Sequence, residues 1–418
     1  MADAKRPALP EQGMAWDALE RELVEAKRDD VDWQGGRAPA FIHYAGEEVL
    51  QASKKAFMHY FSENGLGLRA FKSLAKFESE VVDWGLGLLH GGADARGAMT
   101  TGGTESIFLA VKAARDAHAE RHGANAAARP TIVMARSAHP AFEKAAHFLG
   151  LEPIRTPLAP GFLADPAAIA ARIDERTAMV VASAPAYPHG VMDPIEAVAS
   201  VARARGAWMH VDACVGGYLA PFAAMLGAPI PPFDFAVPGV VSISADLHKY
   251  GYAAKGASTL FFADAKSFAR MGYAFDGWPR GQYFTNTLVG TRPGGSIASA
   301  WAVMKTLGRQ GYVDVTRRVL ATRRGYQEGV EALGFRTLGD PQLSILAFGS
   351  ERHDIAAVGK AMNARGWLTG YVRDPDGIHL MLNLTHEPVV GRYLEDLAAA
   401  SAEAAAAGPS GETVRPVY

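Results

Sequence analysis

The sequence predicts an α/β protein: a large, mainly parallel mixed sheet with helices on both faces, followed by a smaller C-terminal α+β unit. Three observations carry this. From Met99 to Phe262, short apolar runs alternate with segments of helical period, as in strand–helix–strand crossovers. Two of those runs end in loops that carry an ionisable side chain, Asp212 and Lys249. After Pro293-Gly-Gly295, one long helical pattern leads into a second, shorter set of strands and helices.

Helical periodicity covers residues 15–28, 47–62 and 72–89, the last with Leu74, Phe77, Val81, Trp84 and Leu88 at spacings of three and four. A Gly-rich turn and a helix (103–120) follow, then a strand (131–135), a helix (139–149) and a short strand near Leu151. Next come a helix (166–174), a strand (178–183), a helix (194–205), and strands at 207–211, 240–244 and 258–262. The C-terminal part reads as a helical stretch (296–333), strands at 343–349 and 378–384, and helices at 353–365 and 389–406. We therefore divide the chain into an N-terminal helical segment (1–65), a large α/β domain (66–295) and a small α+β domain (296–418), with a polar, frayed tail from Gly408.

At 418 residues, 49% of them hydrophobic, the chain can bury a large core without covalent staples. Lys and Arg (42) nearly balance Asp and Glu (44), so no long-range field favours nucleic acid or an anionic membrane. The one cysteine, Cys214, excludes an intramolecular disulfide framework and fits a reducing compartment. With no secretory pattern at the N-terminus and no run of about 20 apolar residues, a cytoplasmic protein without a membrane anchor is expected.

Four segments carry chemistry. In Met99-Thr-Thr-Gly-Gly-Thr-Glu-Ser106, adjacent glycines ahead of a helix let the backbone and its N–H groups approach an anion such as phosphate. The plainer reading is an N-cap, with Thr104 as the cap. In Ser137-Ala-His139-Pro-Ala-Phe-Glu-Lys144 an imidazole at a strand end can stack on an aromatic ring, or simply cap a helix. In His210-Val-Asp-Ala-Cys-Val-Gly-Gly217, Asp212 ends an apolar strand, where a carboxylate needs a cationic partner. That partner is either a protonated pyridine nitrogen or an Arg or Lys of the chain. Cys214 reads as a small buried residue without reactivity. In Ser242-Ile-Ser-Ala-Asp-Leu-His-Lys-Tyr-Gly251, Lys249 lies in an apolar, Gly-rich setting that disfavours its charged form and favours imine formation. An amine and a carboxylate at strand ends of one sheet suit pyridoxal 5'-phosphate: the amine takes the aldehyde as a Schiff base, and the carboxylate keeps the pyridine nitrogen protonated. His118 and His122, one helical turn apart, lack a third metal ligand, and Gly85-Leu-Gly87 follows a helical pattern, not the strand a dinucleotide turn needs. No metal is expected.

These four segments, with Gly290-Thr-Arg-Pro-Gly-Gly295 and, more faintly, Gly377-Ile-His379, resemble the sphingosine-1-phosphate lyase branch of the pyridoxal phosphate-dependent group II decarboxylase superfamily over roughly residues 35–390. The resemblance implies fold type I, the aspartate aminotransferase-like architecture. It implies Lys249 as the Schiff-base lysine, Asp212 as partner of the ring nitrogen and His139 as the stacking residue. Gly102, Gly103, Thr104 and His248 would hold the cofactor phosphate, and Gly290 and Thr291 would complete the phosphate site of a neighbouring subunit, which implies a homodimer with active sites at its interface. Lys255 matches a second lysine of the lyase branch, and Tyr44 a tyrosine that reaches its active site. Two departures stand out: Gly67 and Ala75 occupy positions where the family has histidine and arginine.

The reaction expected is retro-aldol cleavage of a β-hydroxyamine, with Lys255, Tyr44 and Lys249 as proton carriers, giving an aldehyde and a smaller amine such as phosphoethanolamine. Amino-acid decarboxylation uses the same electron sink and stands second. Transamination lacks a clear arginine motif for a substrate carboxylate. A non-catalytic cofactor-binding homologue is the reading from a different class, and the presence of both Asp212 and Lys249 speaks against it.

Overall fold

The computed structural model describes residues 6–123 and 129–408. It opens with helices α1 (Trp16–Ala26), α2 (Glu47–His59) and α3 (Lys72–Leu88). The alternating part runs β1 (Arg96–Thr100), α4 (Gly103–His122), β2 (Thr131–Ala135), α5 (Ala141–Leu149), β3 (Glu152–Thr156), α6 (Pro166–Ala170), β4 (Thr177–Ser183), α7 (Ile195–Ala204), β5 (Trp208–Asp212), α8 (Ala220–Met225), β6 (Val240–Ala245), β7 (Ser258–Phe262) and α9 (Ala265–Ala269). A hairpin, β8 (Tyr273–Phe275) and β9 (Tyr283–Thr285), precedes α10 (Gly294–Ala332). The chain then forms β10 (Arg336–Thr337), β11 (Ile345–Gly349), α11 (Ile355–Ala364), β12 (Gly370–Val372), β13 (Gly377–Met381) and α12 (Val390–Ala407).

Seven strands form one sheet in the order β1-β7-β6-β5-β4-β2-β3. The neighbours from β6 to β3 pair in parallel, and β7 runs antiparallel to both β6 and β1. Most of the parallel connections contain a helix, which carries the chain back across the sheet. Between β6 and β7 there is only the turn 246–257, so the chain returns antiparallel, and this turn carries Lys249 at the carboxyl edge of β6. Asp212 is the last residue of the adjacent β5 and pairs in register with Ser244. The crevice outside the carboxyl ends of parallel strands is where open α/β sheets bind ligands.

Strand β1 escapes sequence reasoning because Arg96-Gly-Ala-Met-Thr contains little β-branched or aromatic character. It is an edge strand paired only with β7, and Gly97 is required by close approach: a Cβ there would lie 2.6 Å from the Phe261 ring. The strand expected near Leu151 begins at Glu152, with Leu151 buried just ahead of it, and includes Pro153 on the edge strand β3, where a missing N–H does no harm. The helix expected over 166–174 is capped by Asp165 but stops at Ala170.

A second sheet, β10-β11-β13-β12, is wholly antiparallel. Helix α10 packs on α2, α3 and α8, with Ser53 and Ser299 hydroxyls 2.7 Å apart and Phe222 stacked on Tyr312 at 4.8 Å. It kinks at Gly308, whose φ of 55° breaks the helical backbone. Of the expected frayed tail, everything beyond Gly408 lies outside the described residues.

Candidate active site

Gly103, Thr104, His139, Asp212, Cys214, Asp246, His248 and Lys249 border one cavity of about 140 Å³, with Ser183 and Tyr187 on its wall. The turn between β1 and α4 brings Gly102 as N-cap and Gly103 and Thr104 as the first helical residues. Thr104 is therefore inside the helix, not its cap. Gly103 is sterically obligatory: a Cβ would sit 2.8 Å from both carboxylate oxygens of Asp246 and 3.0 Å from Cys214 Sγ. Because no side chain caps α4, its first N–H groups and the positive end of its dipole are available to an anion.

Asp212 is held by a buried polar line across β5 and β6. Trp208, His210 and Asp212 share one face of β5 by the two-residue period of a strand. Trp208 Nε1 donates to Ser242 Oγ at 2.8 Å, Ser242 Oγ and His210 Nδ1 are 2.8 Å apart, and His210 Nε2 is 3.2 Å from Ser244 Oγ. Ser244 Oγ in turn donates to Asp212 Oδ1 at 3.4 Å, and the Cys214 N–H donates to the same oxygen at 3.1 Å. Burial holds the pKa of His210 down to about 4, so the ring is neutral, with a proton on one nitrogen only. One consistent direction runs from Trp208 to the carboxylate. No Arg or Lys forms an ion pair with Asp212 among the described residues, which removes the salt-bridge reading of this carboxylate. Burial, then the neighbouring carboxylates, push the Cys214 thiol well up, in keeping with an unreactive packing residue.

Lys249 corrects the sequence expectation that its charged form is disfavoured. Burial does act that way, but Asp246 Oδ2 lies 3.1 Å from Nζ and, with Asp212, outweighs it, so the amine is held protonated above its ordinary range. Asp246 is itself buried, accepts from Ser258 Oγ at 2.6 Å, and is kept below its usual range because Lys249 and His248 overcome the cost of burying it. His248 donates through Nδ1 to the Ala257 carbonyl at 2.7 Å, which turns Nε2 toward Asp246 at 3.8 Å. His139 Nδ1 accepts the Ala141 N–H at 3.1 Å, leaving Nε2 to carry the proton of the neutral ring; burial lowers its pKa, with Asp212 acting against it.

The remaining expected residues do not border this cavity. Lys255 is exposed, and its Nζ donates to the carbonyls of Phe41, at 2.9 Å, and His248, at 3.3 Å. Burial of the ammonium and then the Lys249 charge bring its pKa down to about 8. Tyr44 lies edge-on to Trp33, with burial and then Glu47 raising its pKa. Thr291 is exposed and Gly290 half-buried on a loop that is tied down on both sides. Arg292 forms a two-pronged pair with Glu78 at 2.8 and 2.9 Å, and Glu105 Oε1 accepts the N–H groups of Leu288, at 2.8 Å, and Val289, at 3.2 Å. The other oxygen of Glu105 takes the Thr101 N–H at 2.6 Å and its hydroxyl at 2.5 Å, so one buried carboxylate joins the turn between β1 and α4 to the 285–291 loop. At Gly67, a Cβ would press on the Phe71 ring at 3.1 Å.

Sequence reasoning missed Asp246, Glu105, His210, Ser242 and Ser244. The two serines had a readable signal, since they alternate with Ile243 and Ala245 in a strand otherwise apolar. Glu105 sits inside the recognised turn, but its partners are 183 and 184 residues away and left no local trace.

Pyridoxal phosphate fits the residues present. A helix N-terminus without a side-chain cap, a backbone cradle that a Cβ at Gly103 would fill, a carboxylate without a cationic partner and a lysine amine border the same space. The helix N-terminus and the cradle suit the cofactor's phosphate, the carboxylate its ring nitrogen and the amine its aldehyde.

Residues 67–348 match the family profile described as the pyridoxal-dependent decarboxylase conserved domain. Sphingosine-1-phosphate lyase of Arabidopsis thaliana is 38% identical over 427 residues, 99% of this chain and 77% of that protein. Sphingosine-1-phosphate lyase 1 of Mus musculus is 38% identical over 393 residues, 93% of this chain and 68% of that one. The solved sphingosine-1-phosphate lyase of Burkholderia pseudomallei superposes with a TM-score of 0.90 at 36% identity, covering 96% of this chain and 93% of that chain. A glutamate decarboxylase of Lactobacillus brevis superposes with a TM-score of 0.84 over 99% of this chain and 97% of its own, and at 17% identity shows the shared fold alone. With the lysine, carboxylate, imidazole and Gly-Gly turn arranged as above, the chain belongs to the pyridoxal-dependent decarboxylase family of pyridoxal phosphate enzymes and, within it, to the sphingosine-1-phosphate lyase branch.

Proposed function

We propose that this protein is a pyridoxal phosphate-dependent carbon–carbon lyase that cleaves a phosphorylated β-hydroxyamine, of the sphingoid-base kind named for its relatives, to a long-chain aldehyde and phosphoethanolamine. The observation that carries the reading is the convergence of Lys249, Asp212, His139, His248 and the N-terminus of α4 on one cavity. Bound pyridoxal phosphate supplies an electron sink for the breaking Cα–Cβ bond. Asp212 would hold the ring nitrogen, His139 would stack on the ring, and Gly102, Gly103, Thr104 and His248 would hold the phosphate. Lys249 would supply the amine for the aldehyde.

Proton handling falls to groups of the chain. With a pKa brought down to about 8, Lys255 is the one of the three expected proton carriers suited to accept the β-hydroxyl proton near neutrality. The Cα–Cβ electron pair stays with Cα, and Cβ leaves as the aldehyde carbon. Tyr44, held protonated, acts only as a donor, and Tyr44 or Lys249 returns a proton to Cα. Gly290 and Thr291 serve the neighbouring subunit's phosphate site in a homodimer. The exposed apolar side chains of Tyr273, Phe275, Trp278, Phe284 and Leu288 beside that loop give a second copy a surface to cover.

Two measurements test this. Protein incubated with pyridoxal phosphate and freed of excess is expected to be yellow, and Lys249→Ala is expected to lose both the visible band and activity; a colourless wild type overturns the cofactor assignment. Product analysis with a phosphorylated sphingoid base is expected to find aldehyde and phosphoethanolamine in equal amounts. Carbon dioxide from an amino acid, without aldehyde, identifies a decarboxylase.

A further inference from the structure

His210, Ser242 and Ser244 are wholly buried, and they take no part in the proton handling above. They lie on one face of β5 and β6 as cross-strand neighbours, His210 beside Ser242 and Asp212 beside Ser244. The residues between them, Val211 and Ile243, are apolar and point to the other face. For the sheet alone, apolar side chains of the same shape would serve about as well as a satisfied polar set. The line therefore calls for a reason beyond packing.

Each hydrogen in it has one place to go. Trp208 Nε1 can only donate, and it does so to Ser242 Oγ at 2.8 Å. The Ser242 hydrogen then has His210 Nδ1, 2.8 Å away, as its acceptor. Burial keeps the ring neutral, so its single proton sits on Nε2, 3.2 Å from Ser244 Oγ. Cys214 Sγ donates to that same oxygen at 3.4 Å. With both lone pairs of Ser244 taken, its own hydrogen is turned to Asp212 Oδ1 at 3.4 Å. That contact is long, so what the line supplies there is mainly the direction of an O–H dipole. The Cys214 N–H joins it at 3.1 Å, so both donors meet Oδ1 and neither meets Oδ2.

We infer that His210 is a positioning residue, which acts through Ser244 to keep a shared proton on the cofactor's ring nitrogen instead of on Asp212. In a buried site, a pyridinium and a carboxylate can collapse to a neutral pair by passing one proton from nitrogen to oxygen. Donors on Oδ1 favour the charged carboxylate and so oppose that transfer. They also leave Oδ2 for the ring. The inference rests on the reading that Asp212 would hold the ring nitrogen, and deepens it: the proton on which the electron sink depends is governed by a side chain that does not border the cavity.

The test uses holoenzyme prepared with pyridoxal phosphate labelled with heavy nitrogen in its ring, whose NMR shift reports the proton on that atom. Wild type is expected to give the protonated shift. Ser244→Ala and His210→Phe are expected to move it toward the unprotonated value and to raise the dissociation constant of the cofactor about fivefold, as loss of one hydrogen bond predicts. His210→Gln, whose amide can donate in place of Nε2, is expected to stay near wild type. His210→Phe added to Ser244→Ala is expected to move the shift no further than Ser244→Ala alone. An unmoved shift in His210→Phe, an equal change in His210→Gln, or a further change in the double variant overturns the inference. If His210→Phe does not fold, Ser242→Ala, which removes the hydrogen that Nδ1 accepts, takes its place with the same expectation. An unprotonated nitrogen already in the wild type overturns the pairing of Asp212 with the ring as well.

Discussion

Lys249 and Asp246 stand three residues apart on one turn, and the contact between them sets the protonation of the amine. With Asp246→Asn, burial acts on Lys249 with less opposition and its pKa falls, each unit multiplying the neutral fraction about tenfold. The apoprotein is then expected to take up pyridoxal phosphate faster at neutral pH, with the alkaline limb of the uptake rate moved down. Growth of the visible band measured against pH checks this, and an unmoved limb refutes it. Lys255 gives the second prediction. Its depressed pKa makes the neutral base the major form above about pH 8, so kcat/KM is expected to rise as pH passes through that value and then level off. Lys255→Gln is expected to flatten the limb and cost about 10²–10⁴ in rate, the usual worth of a general base.

Among the elements, the turn from β1 into α4 does the most to shape the site, and Glu105 fastens it. This buried carboxylate accepts two N–H groups from the 285–291 loop and two donors from Thr101. Glu105→Gln places an NH₂ group against donors, and with hydrogen bonds to a charged group worth about 1.5–3 kcal/mol, it is expected to lower stability by about that much. Denaturant midpoints of holo- and apoprotein measure the loss. Gly103→Ala brings a methyl group to 2.8 Å from Asp246 and 3.0 Å from Cys214, and is expected to weaken cofactor binding. Equilibrium dialysis of pyridoxal phosphate against both proteins checks it. The glycine pair and the helix it opens were legible in the sequence because backbone approach and helix period are local properties. Strand β1, immediately ahead, was not: Arg96-Gly-Ala-Met-Thr becomes a strand only because β7 lies beside it and the Phe261 ring covers Gly97.

For the whole molecule, the question is whether each site is built from two copies of the chain. Gly290 has open surroundings, with nothing closer to an added Cβ than the Tyr283 hydroxyl at 3.7 Å, so Gly290→Asp is tolerated within its own subunit. Placed at a partner's phosphate site, the new carboxylate repels the cofactor. Both Lys249→Ala and Gly290→Asp are therefore expected to be inactive alone. An equimolar mixture refolded together is expected to recover about a quarter of wild-type activity, since half the dimers are mixed and each has one intact site. Recovery of nothing, from variants that are folded and dimeric, refutes the shared site.

The alternation of strands and helices from α4 to β7, the Gly-Gly turn that opens α4, and the roles expected of Asp212 and Lys249 were read from sequence alone, because periodicity, glycine pairs and strand-end charges are written within a few residues. What surrounds those groups was decided only in three dimensions. Asp246 reverses the effect of burial on Lys249, and the line from Trp208 through His210 to Ser244 orients Asp212. Tyr44 and Lys255, close in motif to the chemistry, stand outside the cavity within this chain. The reason is the range of the interactions: a helix or a turn is fixed by neighbours in the chain, whereas a buried charge is fixed by whichever distant groups the sheet brings within a few ångströms of it.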